Sequence, residues 1–186
     1  DGSRNGAEFP ANTYTDSYQY QPDVAVLADG GFVVTWTSNG QDPSGYGVFA
    51  QRFDAAGAPA GAEFRVNTST AGSQVTPSVV ALSTGGFVIS WADSSSAYAQ
   101  QYDAVGVRVD GETRVDSLSN NYASNPTVAA LDNGAFVVTW TDYPDSSTNT
   151  YGVYQRIFGD PVEFARQAGP ELVDVSASVT MLENAI

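Results

Sequence analysis

Short runs of alternating side chains, separated by turn residues, dominate this chain. The segment FVVTW, from Phe32 to Trp36, places Phe, Val and Trp on one side of an extended strand and Val and Thr on the other. Both sides are apolar or small, which predicts a strand that is covered on both faces. No window of ten or more residues shows a helical period, and even the tail segment Leu172–Leu182 alternates like a strand. The pattern predicts an all-β fold.

The same strand pattern occurs three times. PDVAVLADGGFVVTW begins at Pro22, PSVVALSTGGFVISW at Pro77 and PTVAALDNGAFVVTW at Pro126, and the first and third agree at 10 of 15 positions. Two further blocks follow in step: GVFAQRFD recurs as YAQQYD and GVYQRIF, and AEFPANT recurs as AEFRVNT and GETRVDS. A period of about 50 residues indicates a repeat architecture.

Each repeat is predicted to form four antiparallel strands, in units of about residues 7–61, 62–110 and 111–161, followed by a tail or linker at 166–186. Glycine pairs such as Gly30 and Gly31 supply the tight hairpin between the first two strands. Sheets covered on both faces suit a propeller-blade-like array, in which the recurring Trp36, Trp91 and Trp140 pack between blades. A threefold β-trefoil or β-prism is the alternative.

Both ends of the repeat region carry a fourth-strand block, Ala7 to Thr13 and Val162 to Gln167. Sheet edges without a partner expose free N–H and C=O groups and invite strand addition. We therefore expect self-association, or packing against neighbouring repeats or domains of the same protein.

The repeat signature GGFVVTW, the segment GYGVFAQRFDAAGAPAGAEFRVNT and the tail LVDVSASVTMLENAI resemble the tandem repeats of large RTX-type, calcium-dependent adhesins of α-proteobacteria. The resemblance covers roughly residues 6 to 165. It implies a secreted or cell-surface location and a calcium-rich setting. The glycine-rich calcium nonapeptide of such proteins is absent from this sequence, so the resemblance assigns calcium to no particular residue.

Charge and composition narrow the chemistry. The net charge is −14, with seven Arg and no Lys, which argues against nucleic acid as a partner, and no apolar run is long enough for membrane insertion. The chain has neither Cys nor His, which excludes thiolate metal sites and the Ser-His-Asp and Cys-His triads. Only carboxylate chemistry remains, and no pair of carboxylates stands out, so we predict that the chain is not an enzyme.

Polar loops after the tryptophans hold the candidate calcium ligands Asp42, Asp93, Asp142 and Asp145. Calcium prefers six to eight oxygen ligands, but no loop has the dense Asp/Asn spacing of a strong calcium motif. Turn formation is the competing interpretation of these aspartates.

Tyrosines gather near the start of the first unit, beside Asn, Asp and Gln. Such groups bind sugars by covering the apolar ring face and holding the hydroxyls. The candidate ligand-binding residues are Tyr14, Tyr18, Tyr20, Tyr46 and Tyr122.

The sequence thus predicts a non-catalytic structural or adhesive repeat module of a large secreted or cell-surface protein, contributing to attachment or to a biofilm matrix. The alternative is a module that binds carbohydrate, most plausibly an exopolysaccharide. A fragment of a glycoside-active enzyme ranks third, since such chemistry needs only two carboxylates.

Overall fold

Three antiparallel sheets make up the fold. The computed structural model describes residues 6–117, 122–143 and 151–159. Sheet 1 contains β1 (Gln19–Val26), β2 (Phe32–Asp42), β3 (Gly45–Phe53) and β4 (Phe64–Arg65). Sheet 2 contains β5 (Val75–Ala81), β6 (Phe87–Ala92), β7 (Ala97–Tyr102) and β8 (Arg108–Arg114). Sheet 3 contains β9 (Ser124–Ala130), β10 (Phe136–Asp142) and β11 (Gly152–Phe158).

The strands of each sheet neighbour one another in chain order, which confirms the predicted all-β class and antiparallel pairing, with four strands in sheets 1 and 2 and three described strands in sheet 3. The described ranges contain no helix that is long and apolar enough to span a membrane. The terminal block at residues 162–167, the tail and Asp145 lie outside the described residues. The propeller-like arrangement of the sheets stays a prediction.

The hairpin between the first two strands of each sheet depends on close backbone approach. Gly31 lies against the backbone of Phe53, and Gly86 lies in the same way against Tyr102, so a side chain at either position would collide with main-chain atoms. In sheet 3 the corresponding residue is Ala135, and the residue that it faces is Gly159, where the other two units have aspartate. The loss of one glycine is therefore accompanied by the gain of another.

The hairpin between β2 and β3 differs from the sequence prediction, in which residues 37–47 form the polar loop after Trp36. Instead, β2 continues to Asp42 and β3 begins at Gly45, with Ser38 paired to Gly47. Asp42 stabilises the tight turn by accepting a hydrogen bond from the Ser44 N–H at 3.2 Å. The polar residues 38–42 thus become part of the sheet because their backbone pairs with β3 and the Asn39 N–H also donates to the Tyr18 carbonyl.

Each sheet has two apolar faces. We call the face that carries the Phe-x-Val/Ile-x-Trp side chains of its second strand the aromatic face, and the opposite one the valine face. The valine face of sheet 1 packs against the aromatic face of sheet 2, through Val33, Val48, Ala50 and Val66 on one side and Phe87, Ile89, Trp91 and Tyr102 on the other. The valine face of sheet 2 packs in the same way against sheet 3, through Val88, Ala97, Ala99 and Val115 on one side and Phe136, Val138 and Trp140 on the other. Trp91 and Trp140 therefore lie in the interfaces between sheets, whereas Trp36 is buried on the aromatic face of sheet 1 and belongs to neither interface.

A recurring hydrogen bond accompanies this packing. Glu112 of β8 accepts from the backbone N–H of Thr68 at 2.7 Å, and Glu63 accepts from the backbone N–H of Thr13 at 2.6 Å. Thr13 and Thr68 occupy the same position of the repeat, as do Glu63 and Glu112. Residues 7–13 therefore contact sheet 1 as residues 62–68, which include β4, contact sheet 2.

We predict that Trp36→Ala, Trp91→Ala and Trp140→Ala each lower the free energy of unfolding by about 3 to 5 kcal/mol, since all three side chains are buried and truncation leaves a cavity. Urea denaturation measures the loss. A change below ~1 kcal/mol in all three variants would contradict the burial of these side chains.

A second prediction concerns Tyr102, whose pKa burial raises to about 12, against the opposing effect of Arg108. The unfolded chain releases this proton near pH 10, so the stability due to the raised pKa is complete below pH 10 and lost as pH rises through about 12. Stability should fall by up to about 1.4 kcal/mol per pH unit in that window. Urea titrations at several alkaline pH values test this, and Tyr102→Phe should have a shallower slope than the wild type. Equal slopes would rule out Tyr102 as the source.

Candidate functional site

An open depression of about 370 Å³ lies where the first strands of the three sheets meet. Each sheet contributes one equivalent tripeptide to its lining: Gln21-Pro22-Asp23, Thr76-Pro77-Ser78 and Asn125-Pro126-Thr127. The first residue of each has a left-handed backbone, with φ of 55°, 54° and 50°. Such a conformation is uncommon for non-glycine residues and especially for threonine. It accompanies a break in strand register at the same place in each sheet.

The polar groups of this depression join the sheets. Gln21 Oε1 accepts from the Thr76 N–H at 3.2 Å, and Asp23 Oδ2 accepts from the Val79 N–H at 2.8 Å. Ser78 Oγ accepts from the Val128 N–H at 3.4 Å, and Ser78 takes the place of Asp23 in the second unit. A contact that recurs between successive sheets is a scaffold contact. The depression is therefore a place where hydrogen bonds hold the three sheets together.

The tyrosines of the first unit lie at another place on sheet 1. The rings of Tyr20 and Tyr46 meet edge to face, with centroids 5.8 Å apart. Burial, and to a lesser extent the neighbouring Tyr46 phenol, raises the pKa of Tyr20. The Tyr20 hydroxyl is therefore protonated at neutral pH and able to donate a hydrogen bond. Tyr14 places its hydroxyl against Gly40 of β2.

The two remaining tyrosine candidates are largely exposed. Tyr18 directly precedes β1 and its carbonyl accepts a backbone hydrogen bond from Asn39 at 2.9 Å. Tyr122 occupies the same repeat position ahead of β9, in the third unit. The structure thus brings Tyr20 and Tyr46 into contact and leaves Tyr122 apart from them, ahead of β9 of sheet 3.

Beside Tyr20 is a small cavity of about 120 Å³, which we call the tyrosine pocket. Its lining consists of Ala11, Asn12, Gln19, Tyr20, Pro22, Val34 and Trp36. Asn12 Nδ2 donates to the Tyr14 carbonyl at 2.6 Å, and Gln19 Nε2 donates to the Asp16 carbonyl at 2.8 Å, so both amides are held in place.

Trp36 distinguishes this pocket from the other tryptophan sites. Its indole nitrogen is buried and has no hydrogen-bond partner among the described residues. In sheet 3 the equivalent Trp140 Nε1 donates to Asp142 at 3.3 Å, but Ser38 stands at that position in sheet 1. The wall of the tyrosine pocket therefore includes a residue with an unsatisfied donor.

Two of the four aspartates proposed for calcium serve local structure. Asp42 is buried and accepts from Asn67 Nδ2 at 3.0 Å, in addition to its bonds in the hairpin turn. Asp93 accepts from two backbone N–H groups of its own turn, those of Ser95 and Ser96, both at 2.8 Å. These contacts match the turn-forming interpretation of the sequence.

The other two aspartates differ. Asp142 is buried and its Oδ1 has no hydrogen-bond partner among the described residues, while Asp145 lies outside them. Across the described ranges, no three acidic side chains come together as a group able to hold a metal ion.

Sequence reasoning missed Asn12, Gln19 and Trp36 as members of the pocket. Asn12 belongs to a repeated column, in which Asn67 accepts from the Val48 N–H and Asp116 from the Ala97 N–H. The recurrence of this column indicates a scaffold role. Only the three-dimensional structure shows that its first member, Asn12, also lines the tyrosine pocket.

Comparison with known proteins adds a fold relationship. No protein-family model matches the chain, and no curated protein matches it. Among solved structures, an endo-arabinase from Bacteroides thetaiotaomicron VPI-5482 is similar, with a TM-score of 0.52 and 16% identity over 80% of this chain and 60% of the endo-arabinase. The chain thus spans 60% of the length of that protein. At this identity the likeness shows a shared fold alone.

A second solved structure, a fucose lectin from Kordia zhangzhouensis in complex with methyl-fucoside, is more distant. Its TM-score is 0.46 at 12% identity, over 73% of this chain and 91% of the lectin.

Calcium provides the prediction for this region. We expect millimolar Ca²⁺ to raise the melting temperature by about 2 to 4 °C, equivalent to ~1 kcal/mol, because it partly neutralises a net charge of −14. Mg²⁺ at equal ionic strength should act alike. A larger effect of Ca²⁺ that disappears in Asp142→Asn would instead demonstrate a discrete calcium site.

Proposed function

We propose that this chain is a non-catalytic, carbohydrate-binding module that acts as an adhesive unit of a large secreted or cell-surface repeat protein. Its ligand is a polysaccharide, and the tyrosine pocket of sheet 1 is the binding site. The fold shared with an endo-arabinase is compatible with a saccharide ligand, but the residues of the pocket carry the proposal.

The observation that carries it is the uneven distribution of tyrosines among the repeats. Tyr20 corresponds to Val75 in the second unit and to Ser124 in the third, so the fold does not require an aromatic ring there. Residues that the scaffold needs recur in every unit, as Glu63 and Glu112 do. Because the Tyr20 ring occurs in one unit only, the fold does not depend on it and it is available to bind a ligand.

The chemistry of the pocket suits a sugar ring. Tyr20, Trp36 and Val34 offer apolar surface to the C–H face of a pyranose or furanose. Asn12 and Gln19 present amides that can exchange hydrogen bonds with hydroxyls. A ligand oxygen within reach of Trp36 Nε1 would also satisfy a buried donor, which otherwise costs about 1 to 3 kcal/mol.

A role without catalysis is supported by the state of the carboxylates. Glycoside hydrolysis needs two carboxyl groups about 5 to 10 Å apart that flank the bond. Asp42 and Asp93 are held by internal hydrogen bonds in different sheets, and the tyrosine pocket has no acidic residue in its lining. Adhesion requires only binding, and repetition of the module would multiply weak contacts.

Titration with soluble bacterial exopolysaccharides, followed by calorimetry, tests the proposal. We expect saturable binding that Tyr20→Ala weakens by about tenfold or more, because the variant removes one wall of the pocket. Tyr151→Ala is the matched control, since Tyr151 is exposed in the third unit and should bind like the wild type.

Circular dichroism must show that both variants are folded. Binding that survives Tyr20→Ala unchanged would exclude the tyrosine pocket, and the absence of binding to any polysaccharide tested would leave the module a purely structural spacer.

A further inference from the structure

We infer that the chain associates head to tail with a second copy of itself, the valine face of sheet 3 in one copy packing on the aromatic face of sheet 1 in the other. This contact would repeat between molecules the packing that joins sheet 1 to sheet 2 and sheet 2 to sheet 3 within the chain.

The aromatic face of sheet 1 is open where its equivalents are covered. Val24 and Val26 of β1 are 59% and 72% exposed. Val24 corresponds to Val79 in sheet 2 and to Val128 in sheet 3, and both of these are only 6% exposed because the preceding sheet covers them. Sheet 1 has no preceding sheet among the described residues.

The valine face of sheet 3 is open in the complementary way. Val153 of β11 is 84% exposed, whereas Val48 at the same position of β3 and Ala97 at that of β7 are fully buried under the following sheet. Ile157 lies on the same face of β11 and is 48% exposed. An isoleucine is thus presented to solvent where sheet 1 has Arg52 and sheet 2 has Gln101.

The two open faces are of opposite kinds, and this identifies the occupant. Both interfaces inside the chain pair a valine face with an aromatic face. The described part of one chain carries one open face of each kind, so the surface that fits each is found on a second copy. Such a contact is heterologous, and it closes only if the rotation between copies allows.

The N-terminal segment marks where the partner would lie. Through the Glu63–Thr13 hydrogen bond, residues 7–13 hold the place relative to sheet 1 that the β4 segment holds relative to sheet 2. β4 is the last strand of the sheet before sheet 2. In the described part of the chain, sheet 3 ends at β11. A second copy seated on sheet 1 would bring its β11 alongside residues 7–13.

Two copies would bring six sheets together, within the four to eight that closed radial arrays use. If the rotation between copies closes the array, the assembly is a ring of 39 kDa, twice the chain mass of 19.5 kDa. Two chains that each carry a charge of −14 repel one another, so association should strengthen as salt screens the charge.

The inference does not depend on the proposed function, although the two surfaces are close. Val34 and Trp36 belong both to the aromatic face and to the tyrosine pocket. Val26 lies six residues along β1 from Tyr20, about 20 Å in an extended strand. Variants at Val26 and at Tyr20 therefore separate assembly from sugar binding.

The test is sedimentation velocity of the full chain over a range of concentrations at about 0.5 M salt. We expect the wild type to approach 39 kDa, and Val26→Arg and Val153→Arg each to remain at 19.5 kDa. Both positions are exposed, so an arginine should leave the fold intact, as circular dichroism can verify. Val107→Arg, at an exposed position in the turn before β8, is the matched control and should associate like the wild type.

Mixing the Val26→Arg and Val153→Arg variants is the decisive experiment. Val153→Arg keeps an intact aromatic face and Val26→Arg an intact valine face, so the mixture should form a 1:1 pair through one remaining contact. Its dissociation constant should be at least tenfold above that of the wild type, since one of two contacts is lost. A wild type that stays at 19.5 kDa, or variants that fail to associate when mixed, would overturn the inference.

Discussion

Burial of the aromatic face of one sheet under the valine face of the sheet before it is the interaction on which this structure depends. A three- or four-stranded sheet with two apolar faces cannot be stable alone in water, because it would expose both. Within residues 6–117, 122–143 and 151–159, sheet 2 has a neighbouring sheet on both sides, and every residue of its strand β6 is buried. The same apolar contact therefore stabilises sheet 2 against sheet 1 and sheet 3 against sheet 2.

Hydrogen bonds between the sheets fix the register of this apolar packing. The valine and aromatic faces would tolerate sliding, but the hydrogen bonds that the Val79 N–H donates to Asp23 and that the Thr68 N–H donates to Glu112 require one register. Asp23 lies in the depression lined by all three sheets, and the glutamate lies in a fourth-strand block. The acidic composition is thus partly structural, since some carboxylates bind backbone amides and not cations.

Much of the fold could be predicted from the sequence because the repeat aligns chemically similar positions. Three copies of one hairpin, with glycine at the turn and tryptophan at the end of the second strand, fix strands and faces. The left-handed residue before each proline could not be foreseen, because proline disfavours helical conformations in the preceding residue and local sequence gives no other sign. The extension of β2 to Asp42 was also missed, since SNGQD has the composition of a loop and becomes strand only by pairing with β3.

The candidate site was predicted in part. Tyr20 and Tyr46 do meet, but Tyr122 lies ahead of sheet 3, and Trp36 lines the pocket although its column indicated a core residue. Contacts between distant parts of a chain decide such membership, and residue types alone do not encode them. Unequal copies of a repeat are nevertheless informative, because a position that varies among copies is released from the scaffold.

The exchange of glycine between Ala135 and Gly159 shows how such copies drift apart. At Gly31 and Gly86 an added Cβ would lie 2.4 and 2.2 Å from the carbonyl oxygens of Phe53 and Tyr102, and at Gly159 it would lie 2.5 Å from the Cβ of Ala135, so glycine is needed on one side of this contact in the first two units and on the other side in the third. The third unit has taken the opposite solution from the first two. Recombination that joined the first half of one unit to the second half of another would bring two side chains, or two glycines, face to face. An engineer who concatenates or recombines these units must therefore move the first three strands of a sheet together, from the first strand to the residue after the third.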